Sequence, residues 1–337
     1  MRVSVVGCGS ISKCHLDALD KIEDVEISSV VDIKHDRADA AAEKYGCRAY
    51  YDFEKMLNED EPDCIHICTP HYLHVPMAIK ALSRDINVLC EKPCAITSES
   101  LSRLRLAQSM SLGKFGVCFQ NRYNKSSVLM KSLIESGKYG EIKAVRASVD
   151  WRRDADYYSD DWHGTSDKEG GGVMVNQAVH TLDLMRYLSG KKPRSVVGHV
   201  SNDHLKGVVN VEDTAWARFE YEDGTVGIIT ATTAFGCNAP IMIDFFCEDV
   251  TLRVEGDNAY LIKDGNVTKL DSHEKSDFIG KSYWGSGHPA LINDFYDCIR
   301  NNKKFPVDAN EGGKAVEEFL AIYGSAEIRA KQFLNRE

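Results

Sequence analysis

Short apolar runs alternate with amphipathic stretches through the first third of the chain. Arg2–Val6 is rich in β-formers, and residues 25–31, 64–68, 86–90 and 114–119 are further apolar runs of strand length. Between them lie segments of helical spacing. These are residues 11–22, residues 36–45 with Gly46 placed to end the helix, a segment opened by His74-Val75-Pro76, and a segment capped at Thr97 or Ser98 that reaches residue 112. Near-continuous apolar strands separated by helices predict a parallel sheet covered on both faces. The alternation stops near Tyr123.

The remainder reads differently. Residues 126–136 form a helix stopped by Gly137, and residues 141–151 form a long strand. From Ser195 onward strands are joined by tight turns. Asp223-Gly224 separates 214–222 from 225–233, and Asp264-Gly265 separates 260–263 from 266–270. Residues 290–300 and 311–331 are helical, and the second helix is expected to pack back across the molecule. The pattern therefore predicts an α/β chain of two domains. Residues 1–122 form a doubly wound dinucleotide-binding domain, and residues 123–337 form an α/β domain with an open, largely antiparallel sheet.

Composition narrows the function. The 337 residues are 43% apolar, enough for real cores, and carry a formal charge of −10, which argues against nucleic acid and anionic membranes. No apolar run approaches the roughly 20 residues of a membrane span. The first residues read as a strand, not a signal peptide. Eleven scattered cysteines fit a reduced, cytoplasmic protein without a disulfide framework. Cys64, His66 and Cys68 share one face of a strand, but the spacing is not that of a zinc site. Small buried thiols explain them, and no metal is expected.

Strand, glycine turn and helix come together at Gly7-Cys8-Gly9-Ser10-Ile11-Ser12. Gly7 would make the tight turn, and Gly9 would let the backbone approach a pyrophosphate at the helix N-terminus. Ser12 stands where a third glycine is usual. A tight turn alone would also use these glycines. The next strand, however, ends in Asp32, about 20 residues on, where a carboxylate takes the ribose hydroxyls of NAD and repels the 2′-phosphate of NADP. Lys34, His35 and Arg37 follow closely and leave room for NADP.

A second signal is Cys90-Glu91-Lys92-Pro93-Cys94 at the end of the strand over 86–90. Proline stops the strand there, and ligands of open α/β sheets bind outside the carboxyl ends of strands. Lys92 is thereby held where a cofactor would meet a substrate, although a surface lysine at a strand end would look the same. Residues 151–169 hold Trp151, Arg152, Arg153, Tyr157, Tyr158, Trp162 and His163. Flat rings flanked by charges suit a pyranose, and a packed surface loop is the alternative. Gly170-Gly171-Gly172 then leads into a helix expected over 173–188 and closed by Gly190. Its polar stripe, Asn176, His180, Asp183 and Tyr187, is either a solvated face or one side of a site in which His180 titrates near neutrality.

Gly7-x-Gly9, Thr69-Pro70, Glu91-Lys92-Pro93, Arg122-Tyr123, and Glu169-Gly170-Gly171-Gly172 followed by Asn176-Gln177 and His180 resemble the Gfo/Idh/MocA oxidoreductases. The resemblance runs the length of the chain, including Gly287-His288 and the closing helix. It implies NAD- or NADP-dependent oxidation or reduction of a sugar, polyol or related carbinol, on a fold that often oligomerises through its open sheet, here as a dimer or tetramer. The cofactor would lie on Gly7, Gly9, Ser10, Ile11, Asp32, Thr69, Pro70, His74, Glu91, Lys92 and Gln120. The substrate would meet Lys92, Arg122, Tyr123, Trp151, Arg153, Tyr157, Trp162, Asn176 and His180. Lys92 would hydrogen-bond the reacting oxygen and His180, helped by Asp183, would exchange its proton.

Two departures from the family pattern stand out. Asn176 replaces an aspartate common four residues before the histidine, which removes a second ionising group. Trp162-His163-Gly164 replaces Trp-Arg-Gly, which leans toward a neutral sugar. The same resemblance also admits an NAD-recycling glycosidase or lyase that passes through a 3-keto sugar. A non-catalytic dinucleotide sensor is a third reading, weakened by the presence of both Lys92 and His180.

Overall fold

The computed structural model describes residues 1–270, 285–328 and 332–333, and the chain divides into two compact units. The first unit begins with β1 (Arg2–Val6), α1 (Ser12–Leu19), β2 (Glu26–Val31), α2 (His35–Tyr45), β3 (Arg48–Tyr50) and α3 (Phe53–Glu59). It continues with β4 (Cys64–Ile67), α4 (His71–Leu82), β5 (Asn87–Cys90), α5 (Ser98–Met110) and β6 (Phe115–Val117). The six strands are parallel, in the order β3-β2-β1-β4-β5-β6. β4 is buried along its whole length, and so are all but the first residues of β1 and β5, as a sheet covered on both faces requires. The winding reverses between β1 and β4, where such folds take their ligands.

Local chemistry explains the departures from the expected boundaries. α1 ends at Leu19, short of residue 22. α4 begins at His71 because Pro70, extended at φ −55° and ψ 148°, precedes its first turn. Pro76, expected near the helix start, lies inside it, where it supplies no N–H to the ladder. β3 and α3 went unforeseen, since three strand residues show no period. Asp52, which accepts from the Lys55 N–H at 2.7 Å, was the cap signal for α3.

The second unit holds α6 (Lys125–Glu135), β7 (Ala144–Asp150), α7 (Val179–Ser189), β8 (Pro193–Ser201), β9 (Thr214–Tyr221) and β10 (Val226–Thr232). β11 (Met242–Phe246), β12 (Thr251–Glu255), β13 (Asn258–Lys263) and β14 (Asn266–Lys269) follow. Both expected hairpin turns are present, with Gly224 at φ +84° and Gly265 at φ +77°. β7 pairs in parallel with β10, and the other pairings are antiparallel. Side chains alternate buried and exposed along β7, β9 and β10, so one face makes core and the other is open.

The helix expected from residue 173 starts only at Val179. The Gly172 and Met174 N–H groups donate to the Glu212 carboxylate at 2.9 and 3.0 Å, and the Val173 N–H donates to the Glu212 carbonyl at 3.1 Å. A Cβ on Gly172 would lie 1.8 Å from that carbonyl. The buried carboxylate thus takes donors that a helix would otherwise leave at its start, and residues 173–178 form irregular turns.

α8 (His288–Arg300) and the start of α9 (Ala309–Ile328) belong to the first unit, a correction to the expected domain limits. The cause is apolar. Phe295 and Phe305 meet edge to face, with ring centroids 5.1 Å apart, and a Cβ on Gly116 would touch both rings. From Lys314 onward α9 belongs to the second unit, and β15 (Gln332–Phe333) pairs with β8. The last three positions of the helix expected over 311–331 lie outside the described residues. Among the described residues no helix is long and apolar enough to cross a membrane.

Candidate active site

The first unit carries the elements of a dinucleotide crevice at the β1–β4 reversal. Gly7 leaves β1 at φ +93°, and a Cβ there would sit 2.6 Å from the Cys68 carbonyl oxygen. The fold itself therefore requires that glycine. Gly9 differs: a Cβ there would meet nothing within 4 Å. Its smallness answers to something outside the chain, and the open space beside it suits a pyrophosphate. Ser10 is exposed, and Ile11 is half-buried at the start of α1. Asp32 follows β2, and its two carboxylate oxygens accept the Cys8 and Lys34 N–H groups, each at 2.8 Å. These donors fix the carboxylate beside the glycine turn.

Thr69 and Pro70 follow β4. His74, fully buried, places Nδ1 2.8 Å from the Pro93 carbonyl and Nε2 2.8 Å from the Thr69 carbonyl. Burial pushes its pKa down, against the two carbonyls. A neutral ring donates only one of the two bonds at a time. His74 therefore ties the loop after β4 to the loop after β5, and this holding role is what the structure gives a residue expected to touch cofactor.

β5 ends at Cys90 and delivers Glu91, Lys92 and a cis Pro93. Glu91 is buried and Lys92 is half-buried. Burial raises the Glu91 carboxyl pKa, but the hydrogen bond and charge of His15, then His288 and Lys92, outweigh it and hold the group far below the usual carboxylate range. His15 Nε2 lies 2.9 Å from Glu91 Oε1, and His288 Nε2 lies 3.9 Å from it. Burial, then the Glu91 charge, raises the Cys118 thiol well above its ordinary value. Gln120, at the end of the unit, is 2% exposed.

His15, Glu91, Cys118 and His288 have potential ligand atoms all within 4.8 Å of one another and could hold a metal. Zinc bonds of about 2.0–2.3 Å put tetrahedral ligand atoms roughly 3.3–3.7 Å apart. The 2.9 Å His15–Glu91 contact is instead a hydrogen bond, so the four would have to move to close on an ion. Sequence reasoning missed His15 and His288 as neighbours of Glu91. Only the histidine eight residues beyond Gly7 and the Gly287-His288 pair could have signalled them.

The second unit gathers most of the residues expected to meet substrate. Glu169, fully buried, accepts the Gly164 N–H at 2.5 Å and Asn176 Nδ2 at 2.5 Å. Asn176 Nδ2 also lies 3.2 Å from the Tyr157 hydroxyl, so the amide's orientation is set. Burial, then the Glu169 charge, pushes Tyr157 up to about 12, which keeps it a neutral donor. The Arg153 guanidinium lies over the Tyr157 and Trp151 rings and donates to Asn238 Oδ1 at 2.8 Å. Trp151 anchors its Nε1–H on the Ala239 carbonyl. The Trp162 and His163 rings lie 3.7 Å apart, and His163 Nδ1 meets Asp160 at 2.6 Å. His180 is the half-buried second residue of α7.

Two expectations change. Arg122 is 5% exposed, and its guanidinium is paired with Asp183 and lies over the Tyr187 ring. It serves α7, as does Asp183, whose oxygens go to Arg122 and Arg186 and not to His180. Tyr123 is half-buried in the 3-10 turn Gln120–Tyr123.

Comparison with known proteins decides the family. Residues 1–111 match the oxidoreductase family with an NAD-binding Rossmann fold, and residues 128–262 match the GFO/IDH/MocA C-terminal domain. The chain belongs to the Gfo/Idh/MocA oxidoreductases. It is similar to D-glucoside 3-dehydrogenase of Escherichia coli K12, at 26% identity over 97% of this chain and 95% of the relative. It is also similar to myo-inositol 2-dehydrogenase of Thermotoga maritima, at 25% identity over 68% and 67%. The WlbA dehydrogenase of Bordetella pertussis, solved with NADH and UDP-GlcNAcA, superposes with a TM-score of 0.86 at 28% identity, over 100% of this chain and 99% of that one. As a Gfo/Idh/MocA member the protein is an NAD-binding oxidoreductase, and its glycine turn and Asp32 are the groups that fit the cofactor.

Proposed function

We propose that the enzyme oxidises a secondary alcohol of a sugar, sugar derivative or polyol, or runs the same step in reverse, with Lys92 holding the reacting oxygen and His180 exchanging its proton. The observation that carries this reading is Lys92 at the carboxyl end of β5, backed by the buried anion Glu91. NAD, when bound, supplies the hydride acceptor. Glu91 favours the ammonium form of Lys92, which then stabilises charge developing on the alcohol oxygen. His180 takes the hydroxyl proton as a neutral imidazole and returns it in the reverse direction. Asn176, oriented by Glu169 and Tyr157, positions a hydroxyl but cannot ionise. Asp32 favours NAD, with NADP a weaker alternative.

The similarity to glucoside, inositol and UDP-sugar enzymes supports the carbinol substrate class. Free thiols at all eleven cysteines support a cytoplasmic setting. Trp216 and Ile228, both 44% exposed on the open sheet face, support assembly into a dimer or tetramer through that face.

The test is NADH formation across free sugars, inositols, glycosides and UDP-sugars, with NAD and NADP compared. Reduction of NAD by one class, abolished in Lys92→Ala and in His180→Ala with NAD affinity retained, is the expected result. An active Lys92→Ala enzyme would overturn the assignment. A glycoside cleaved without net NADH would move the reading to the redox-recycling glycosidase.

A further inference from the structure

Four buried polar side chains form a line through the first unit. The Tyr296 hydroxyl lies 2.9 Å from His66 Nε2, His66 Nδ1 lies 2.8 Å from His15 Nδ1, and His15 Nε2 lies 2.9 Å from Glu91 Oε1. Tyr296, His66 and His15 have no exposed surface, and Glu91 is 5% exposed. They come from α8, β4, α1 and the end of β5. A polar line in a core is costly unless each member is satisfied.

Valence sets the direction of the line. An ionised carboxylate only accepts, so His15 donates from Nε2. Lys92 already balances the Glu91 charge, and a fully buried imidazolium would add an uncompensated one, so His15 carries a single proton. Its Nδ1 then accepts, and His66 donates from Nδ1. His66 Nε2 in turn accepts the Tyr296 proton. Cys64 Sγ, 3.6 Å from the Tyr296 oxygen, is the weaker partner for that hydroxyl. Burial, and then His15, lowers the His66 pKa well below its ordinary value, in keeping with a neutral ring. Three donors thus point one way, each with one acceptor, and all toward Glu91.

We propose that Tyr296, His66 and His15 form a one-way hydrogen-bond relay that keeps Glu91 an anion behind Lys92, which makes these three the positioning residues of the reaction. This rests on the Lys92 reading above. Removing Tyr296's proton source frees His66 to choose the other tautomer and weakens the His15 bond to Glu91. Glu91 then protonates at higher pH, and Lys92 loses its counter-ion.

The first experiment is nitrogen-15 NMR of the histidine-labelled wild-type enzyme. His15 is expected to be protonated only at Nε2 and His66 only at Nδ1, with neither ring titrating within about 1.5 units of the ordinary imidazole pKa of about 6.5. A doubly protonated His15, or a His15 Nε2 bound to metal in enzyme grown with zinc, would reverse the line and overturn the proposal. The second experiment is the pH profile of kcat/KM for Tyr296→Phe. The acid limb is expected to move to higher pH and kcat to fall about tenfold, the effect of one lost buried hydrogen bond, with NAD affinity within about twofold. An unmoved acid limb with reduced amplitude would mean a merely structural role and would overturn it. If Tyr296→Phe does not fold, the wild-type tautomers decide. Turnover by Lys92→Ala with the tautomers as stated would instead sink the Lys92 reading, and the relay's catalytic purpose with it.

Discussion

Arg122 and Asp183 form a buried two-bond ion pair, Nε to Oδ2 at 2.6 Å and a terminal nitrogen to Oδ1 at 2.5 Å. Arg186 adds a third contact to Asp183 at 2.8 Å. Asp183 is 1% exposed and Arg122 5%. Such a pair is weak evidence of net stabilisation, but removing one partner strands a buried charge at a cost of about 3–5 kcal/mol. Arg122→Met is therefore expected to lower unfolding free energy by about that amount in urea titrations. A loss under about 1 kcal/mol would show that the pair is solvated and that Arg122 is available to substrate after all.

The buried histidines make the enzyme acid-labile. Burial lowers the His288 pKa to about 4 and takes His66 well below its ordinary value. Folded, both rings are neutral; unfolded, both protonate below about pH 6.5. Between about pH 6.5 and 4 the unfolded chain binds more protons, so stability falls as pH drops through that window and is flat above it. The His288 shift alone corresponds to about 3 kcal/mol. Urea midpoints at pH 7.5 and 5 should differ accordingly, and the difference should shrink in His288→Leu. Equal midpoints would mean that these rings are hydrated or charged in the native state.

Gly7→Ala tests the turn at β1. The new methyl would lie 2.6 Å from the Cys68 carbonyl oxygen, at a φ of +93° that side chains rarely adopt. Backbone cannot yield as a flexible side chain can. The expected outcome is a loss of about 1–3 kcal/mol of stability and of measurable NAD binding. Gly9→Ala meets no atom of the chain. It should fold normally and lose NAD affinity alone, because only the cofactor uses that space. A Gly9→Ala enzyme with undiminished affinity would remove Gly9 from the site.

The contrast between those two glycines shows where sequence pattern carries information. The parallel sheet, the turn after β1, Asp32 and the strand delivering Lys92 were legible because each follows a local rule of period or cap. The hairpins at Gly224 and Gly265 were legible for the same reason. What failed depended on distant partners. The start of α7 was misread because Glu212, some forty residues away in sequence, takes the donors of Gly172 and Met174. Arg122 looked like a substrate ligand until Asp183 was found against it. Residues 287–313 joined the first unit because two phenylalanines needed the surface that Gly116 leaves bare. The relay behind Lys92 joins positions 15, 66, 91 and 296, a line no spacing rule connects.

Asp32 bears the choice of cofactor. Its carboxylate is fixed by the Cys8 and Lys34 N–H groups, both at 2.8 Å, so it cannot turn away from a ribose at the glycine turn. A charged hydrogen bond to the ribose contributes about 1.5–3 kcal/mol, or roughly 10–150-fold in affinity. Asp32→Ala is expected to weaken NAD by about that factor. It should also improve NADP relative to NAD, because the 2′-phosphate no longer meets a negative charge and Lys34 and Arg37 stand nearby in the chain. Titration of intrinsic fluorescence with each nucleotide measures both effects. Unchanged affinity for both would place the ribose elsewhere. A loss for both alike would show that Asp32 shapes the turn without reading the ribose.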